Sequence, residues 1–589
     1  MAVKTAKTVL FPTLSQDDIR KMRESVSYEL AWEGMNLLRS KSEPNLAKFM
    51  SLVTLAYIYK KIGVVSRERL YDVLRETEMD YSVGLKLSSV LDEFYTEAEM
   101  LAHKCSEEQL LSLIFGNLSW YFRSMGRKVG SVATPEAYAY IARELLQIKP
   151  SESVMDYCFG FGDFAIGVYL NTKAKAVYGT EISTDAVIVS KIRAAFMDEA
   201  ISVKQGDSLI DNLRADKIFA DPPMALREGN AYHWLPQDDE LAKIYDSLPR
   251  TRRMDWAFAL SALEKQNSGG RTVVLTYDSL LFRASKGEQE MRRYLIDSGR
   301  LESVIAMPDG IMPNTGVQCD MLVFSQGNTT VRMVDARDCK VKERYTSEMS
   351  NDNISEVLRR INEVTEHSRD VAPKEIAEQE YDLSPVGYLS SAVTEVENGV
   401  ALGDLVLSLE RGQAVPASKL EELATKDETN FQYLMLKDVE DDTVRMPLPF
   451  LAEMEESWER FCVTEGNLVI SRSAPIKIGI VPPLQGKKVL ANGNMYFMQL
   501  DEKKVHKIYA MCYLKSREGA RQIEYLSKGS KIKIISRKDL LQVKIPVIPM
   551  DEQMKIVEKY ISIRRHLSVL KRQTQELELQ LAGIIEGAN

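Results

Sequence analysis

SVMDYCFGFGDFAIGVYL, Ser153 to Leu170, reads as a short strand, a glycine-rich turn and the opening of a helix. Its Asp-x-x-x-Gly-x-Gly spacing places Asp156 at the strand end and Gly160 and Gly162 in the turn. Glycine lets the backbone turn sharply and approach a ligand with no Cβ in the way. A strand that passes into a helix through such a loop belongs in an open α/β sheet, where ligands bind beyond the carboxyl ends of the strands.

The flanking sequence extends that pattern. Across residues 134–330 the runs AKAVYGTEI, DKIFAD, GRTVVLTY, LESVIAMP and CDMLVFS alternate with helical segments. Strands separated by helices predict a parallel sheet covered on both faces. Residues 15–125 carry apolar positions at three- to four-residue spacing with few breakers and predict helices. Residues 350–395 predict a helical connector ending in YDLSPVGYL. From about Ala401 the texture shifts to shorter strands and turns, as in LGDLVLSLERG, NLVISRSAP and KIGIVPP, and predicts a compact α+β unit. Ile556, Tyr560, Ile563, Leu567, Leu570, Thr574, Leu577, Leu581 and Ile584 then alternate four- and three-residue steps. That heptad seam predicts a helix that coils with another helix.

Two further acids follow Asp156. Glu181 ends the next strand, where a carboxylate can accept from ribose hydroxyls, and Asp207 ends a third strand-like run. No Gly-Lys-Ser/Thr triplet is present, which disfavours a phosphate cradle for ATP. Acids at three successive strand ends suit a cofactor with hydroxyl and amino groups and no phosphates; S-adenosylmethionine fits. In KIFADPPMALREG, Lys217 to Gly229, the strand ends on Asp221-Pro222-Pro223-Met224. The prolines fix φ and remove backbone donors. The loop then offers acceptors, the Asp221 carboxylate and the Pro222 carbonyl, to an exocyclic amino group. An amine held there could attack a sulfonium methyl in line, with catalysis coming from positioning and electrostatics.

Composition narrows the rest. At 589 residues the chain is too long for one core. Hydrophobic content of 45% and charged content of 27% are those of a soluble globular protein. No apolar run of about 18 residues occurs and the N-terminus makes a poor signal peptide, so a cytoplasmic protein without a membrane segment is expected. The six cysteines are scattered, with no CxxC pair, which argues against disulfides and a metal site. Net charge is −9, yet Lys503 to Lys544 holds twelve Lys/Arg against three Asp/Glu, a local surface suited to phosphates.

As an ordered set these motifs resemble the modification subunit of type I restriction–modification systems, a family of adenine-N6 DNA methyltransferases. ELAWEGMNLLRS resembles its N-terminal helical signature, and GSVATPEAYAYIAREL the segment whose Thr-Pro, here Thr134-Pro135, contacts cofactor. DYCFGFGDF resembles its methionine-binding loop, and DPPM stands where the family has Asn-Pro-Pro-aromatic. IAMPDGIMPNTGVQCDMLVFS resembles a late strand pair, and YDLSPVGYL the family's C-terminal end. Residues 400–589 resemble one half of the specificity subunit: LGDLVLSLERG the start of a target-recognition domain, and LLQVKIPVIPMDEQMKIVEKY its end.

The resemblance implies an N-terminal helical domain at 1–125, a Rossmann-like S-adenosylmethionine-dependent methyltransferase domain at 126–345 and a connector at 346–399. It implies a target-recognition domain at 400–548 and a coiled-coil helix at 549–589. It further implies site-specific adenine-N6 methylation of double-stranded DNA by base flipping, a homodimer through the C-terminal helix that reads a symmetric bipartite target, and any restriction subunit on a separate chain. Arg472, Lys477 and Lys487 are the candidates for DNA contact. Met224 departs from the family aromatic that stacks on the flipped base, with Tyr232 or Trp234 as a substitute ring. Phe159 and Phe161 stand where small residues are usual and are expected to crowd the cofactor. These departures motivate an alternative, a degenerate methyltransferase that binds DNA or scaffolds a complex. A cytosine-N4 enzyme, or one acting on protein or RNA, uses similar chemistry.

Overall fold

The computed structural model describes residues 10–586 apart from 42, 44, 64, 65, 78, 117, 119–133, 198, 199, 224, 225, 227–233, 284, 313–317, 343–346, 390–395, 397, 474, 475 and 528–533. Two compact units divide the chain, Met1–Leu389 and Ser390–Asn589.

Among its described residues the first unit opens with the helices α1 (Gln16–Glu24), α2 (Tyr28–Arg39), α3 (Leu46–Ile62), α4 (Arg67–Glu76), α5 (Tyr81–Lys104) and α6 (Glu107–Phe115). Side-chain caps set most of their starts. Ser27, Asn45 and Ser66 each accept a backbone N–H of the first turn, and Ser106 and Gln109 cap each other reciprocally. Helix α3 is buried on nearly every side and forms the axis of the group.

A nine-stranded sheet follows. Its strands are β1 (Ser153–Asp156), β2 (Ala176–Glu181), β3 (Ile201–Gln205), β4 (Ala215–Ala220), β5 (Gln266–Tyr277), β6 (Leu301–Ala306), β7 (Cys319–Phe324), β8 (Val331–Asp335) and β9 (Ser368–Val371). The spatial order is β9-β8-β6-β7-β5-β4-β1-β2-β3. The chain runs from β1 outward to β3 and then crosses back to β4 on the other side of β1. That reversal opens a crevice at the carboxyl ends of β1 and β4, the position where such sheets bind ligands.

The sheet is not wholly parallel. β7 inserts antiparallel between β5 and β6, and β9 pairs antiparallel with β8. The link from β6 to β7 has no helix among its described residues, and without a helical crossover a chain returns antiparallel. Residues 350–395, expected as a helical connector, supply the edge strand β9 as well as the helix Asn351–Asn362.

Alternate residues along each strand feed two cores. Val154, Phe219, Val273, Leu275 and Ile305 face one, and Met155, Ile218, Val274 and Val304 face the other. The first of these cores is continuous with α1–α6, so the N-terminal helices cover one face of the sheet rather than standing alone.

The second unit contains a six-stranded and a five-stranded sheet of short strands. The larger orders Val406–Arg411, Met495–Leu500, Leu468–Ser471, Ile478–Ile480, Thr443–Val444 and Val439–Glu440. Helices Lys507–Lys515 and Arg517–Leu526 pack in the same unit, and the chain ends in one long helix, Met550–Glu586. Among the described residues no single helix is long and apolar enough to cross a membrane.

Candidate active site

Three loops meet at the crevice. Helices α7 (Glu136–Leu146), α8 (Asp163–Asn171) and α9 (Thr184–Ala195) leave from them or pack behind them. The first loop carries Thr134 and Pro135 into α7, and Pro135 occupies the N-cap. The second runs from Asp156 to Gly162 into α8, with Gly160 and Gly162 both at positive φ, 53° and 82°. The third begins at Asp221, directly after β4.

Asp156 is buried, and no basic side chain pairs with it among the described residues. Burial lifts its carboxyl well above the usual range, the negative charges of Asp221 and Glu181 lift it further, and the Ala165 N–H offsets this in part. Asp221 is crowded by protein and held up to about 6, although a hydrogen bond from the Thr134 hydroxyl favours its charged form. Glu181 closes the glycine loop: its two oxygens accept the N–H groups of Gly160 and Ser183, each at 2.8 Å. Each oxygen keeps a lone pair for a further donor. Asp207 lies half-buried beyond β3 and accepts the Leu209 N–H at 2.9 Å. Pro222 is half-buried and Pro223 exposed. Met224 and Tyr232 lie outside the described residues.

The arrangement suits a cationic, donor-rich cofactor. A buried acid without a counter-ion, facing two more acids, needs positive charge or donors to compensate it. S-adenosylmethionine carries an ammonium, a sulfonium, ribose hydroxyls and an amino group. The cradle is also shaped by glycine: a Cβ on Gly162 would lie 3.1 Å from Phe159, and one on Gly179 only 2.0 Å from the Asp156 carbonyl oxygen.

Two expectations are corrected here. Phe159 and Phe161 are buried in the core beneath the loop, so they support the crevice rather than crowd it. Trp234 is also buried, edge-to-face on Tyr245, and is not a free stacking ring.

A set of ionic residues absent from the sequence reading holds the loops. Arg193 of α9 is fully buried and donates to the Phe161 carbonyl at 3.0 Å and the Asp163 carboxylate at 3.1 Å. It also donates to the Ile114 and Gly116 carbonyls, at 2.8 and 3.1 Å. Arg23 of α1 bridges Asp163 and Glu136, the first residues of α8 and α7. The glycine loop and the Thr134 loop are thus bolted to the N-terminal helices. A lone arginine in a helix gives no sequence signal of such a role.

Residues 108–397 match the N-6 DNA methylase family, and residues 409–579 match the type I restriction modification DNA specificity domain. The chain joins an N-6 DNA methylase domain to a type I specificity domain. The methylase part is 22% identical over 308 residues to the methylase subunit of the type I restriction enzyme MpnII of Mycoplasma pneumoniae, covering 48% of this chain and 56% of that protein. The specificity part is 26% identical over 116 residues to a putative type I restriction enzyme MjaX specificity subunit of Methanocaldococcus jannaschii, covering 20% of this chain and 26% of that one. The chain therefore spans about half the length of the methylase relative and a quarter of the specificity relative. A type I methyltransferase subunit of Streptococcus thermophilus superposes with a TM-score of 0.44 at 14% identity, covering 63% of this chain and 99% of that one.

In the specificity unit the three expected DNA contacts all have internal partners. Lys477 donates to the Leu436 carbonyl at 3.1 Å. Lys487 pairs with Glu428 at 2.7 Å and sits over Phe450. Arg472 donates to the Gly493 carbonyl at 3.2 Å and lies over Tyr496.

Proposed function

We propose that the chain is a site-specific DNA methyltransferase acting on adenine N6 in duplex DNA, with S-adenosylmethionine as cofactor. The observation that carries this reading is the Asp221-Pro222 acceptor loop beside an uncompensated buried acid at the topological switch point of a methylase-family sheet. Asp156, Gly160, Gly162, Glu181, Asp207, Thr134 and Pro135 would hold the cofactor, which when bound supplies an electrophilic methyl group. A base flipped out of the duplex presents its amino group to the Asp221 carboxylate and the Pro222 carbonyl. Those acceptors take its N–H bonds and orient the nitrogen lone pair, and the proton released on transfer leaves to solvent. Met224, Pro223 and their neighbours would line the base.

In this reading residues 126–345 carry the chemistry and 400–548 choose the target. The helix within 549–589 pairs two chains, and the homodimer reads two half-sites related by a two-fold axis. Its setting is intracellular, where the DNA is.

The test is methylation-resolved sequencing of DNA from a host free of other adenine methylases, expressing the wild type or Asp156→Ala, with calorimetry of S-adenosylmethionine binding. A modified adenine in a fixed motif, and cofactor binding that the substitution abolishes, is expected. Cofactor binding with no modified base would overturn the methyltransferase reading and leave a cofactor-binding scaffold.

A further inference from the structure

Arg411 ends the strand Val406–Arg411, and Arg472 directly follows Leu468–Ser471. Between these strands runs Met495–Leu500. Both arginines reach to the turn that precedes this middle strand and donate to the same atom, the carbonyl oxygen of Gly493. Arg411 does so through Nε at 2.9 Å and Arg472 through Nη1 at 3.2 Å. Two guanidinium groups therefore converge on one oxygen. Neither has a carboxylate partner among the described residues, and the adjacent Glu410 lies 4.0 Å from Arg537 instead. Like charges this close disfavour each other until acceptors or an anion arrive.

The platform beneath them is rigid. Gly412 N–H donates to the Met495 carbonyl, Gln413 N–H to Ala491 and Gly493 N–H to Gln413, at 3.1, 2.8 and 2.9 Å. The two segments close because both glycines lack a Cβ, which on Gly412 would lie 2.2 Å from the Asn492 oxygen and on Gly493 2.9 Å from Ala414. Arg472 is half-buried against Tyr496, its centre 5.4 Å from the ring. Arg411 is exposed, and because its Nε is taken, its two terminal nitrogens form the free end. A planar guanidinium fork suits a pair of acceptors on one nucleotide, a guanine O6/N7 edge or a phosphate.

We propose that Arg411, seated beside Arg472 on Gly493, is a DNA-contact site of the specificity unit that grips a paired acceptor on the duplex. This rests on reading residues 409–579 as the DNA-recognition part. Guanine is the expected source, since an arginine anchored by its own Nε to a buried carbonyl is preorganised for discrimination.

The test uses the full chain as wild type, Arg411→Ala and Arg411→Lys. Binding to a duplex bearing the methylated motif is measured across a salt series, together with the methylation motif itself. Guanine reading predicts a loss of about 10- to 100-fold for both variants and a motif that relaxes at one G·C position. Phosphate contact predicts a uniform loss for Arg411→Ala, a salt slope lower by about 1, and substantial rescue by lysine. Either result supports the site. Wild-type affinity and motif in both variants, each melting like the wild type, would overturn it and leave the proposed function standing. A wild-type chain with no sequence preference would overturn both.

Discussion

Thr134 donates its hydroxyl to the carboxylate of Asp221. The bond links the loop before α7 to the end of β4, and it favours the ionised form of a group that burial pushes up to about 6. Only the ionised carboxylate is a pure acceptor. Methyl transfer should therefore fall on the acid side with a midpoint near 6. Thr134→Val removes the bond that holds the carboxyl down, so its midpoint should move to higher pH. A pH–rate profile at saturating cofactor checks this, and an acid limb that does not move would sink the assignment.

The same residue should cost stability. Its folded pKa, about 6, exceeds the ordinary value of 3.8. Stability gained from protonation is then fully present below the ordinary value and lost as pH rises towards 6; above that the cost is complete. Asp221→Asn keeps an acceptor oxygen and removes the titration. At pH 7.5 it should raise stability by about 1–3 kcal/mol, with little gain at pH 4. It should also abolish the acid limb while retaining turnover, since asparagine stands at this position in the family pattern. Thermal melts at the two pH values, run beside activity, check both halves.

Much of this site was legible because its chemistry sits at strand ends. Val154 and Met155 before Asp156, Val177 before Glu181 and Ile218-Phe219 before Asp221 all fall on strands where the pattern placed them. The antiparallel insertion of β7 was not legible, because strand residues Cys319 to Phe324 are buried on both faces and periodicity carries no direction. Nor was the anchoring role of Arg193, whose partners are mostly backbone carbonyls distant in sequence. The contact residues of the specificity unit were the least legible. Lys477 and Lys487 were read by charge alone, whereas their ammonium groups reach internal acceptors in the fold. Arg411 became visible only once Gly493 was placed beneath it.

Gly179 tests the cradle from behind. It lies in β2 opposite Asp156, and a Cβ there would come within 2.0 Å of the Asp156 carbonyl oxygen and 2.7 Å of the Phe159 ring. Backbone cannot yield as a side-chain tip can. Gly179→Ala should destabilise the methylase unit by about 1–3 kcal/mol, as overpacking does, and weaken cofactor binding by shifting Asp156. Gly206→Ala is the control: its Cβ would meet only the Thr180 methyl, at 3.3 Å. Calorimetry and melting of the two variants should separate them, and equal behaviour would refute the argument.

The C-terminal helix presents two adjacent stripes with different commitments. Tyr560 donates to Asp442 at 2.6 Å and Lys571 pairs with Asp441 at 2.7 Å, while Arg564 reaches both acids. Asp441 and Asp442 have positive φ, 54° and 68°, in the turn between two short strands, so a tight hairpin clasps one side of the helix. Ile563, Leu567 and Leu570 lie beside that stripe and are about half exposed, at 50%, 48% and 57%. If this seam pairs two chains, Leu567→Glu with Leu570→Glu should leave the melting of the monomer nearly unchanged, because neither side chain is buried within it. The dimer should weaken at least 100-fold, since charges would enter an apolar interface on both chains. Sedimentation velocity over a concentration series checks the mass. Methylation sequencing then shows whether the bipartite motif is lost with the dimer, and a wild type that sediments as a monomer at every concentration would refute the pairing.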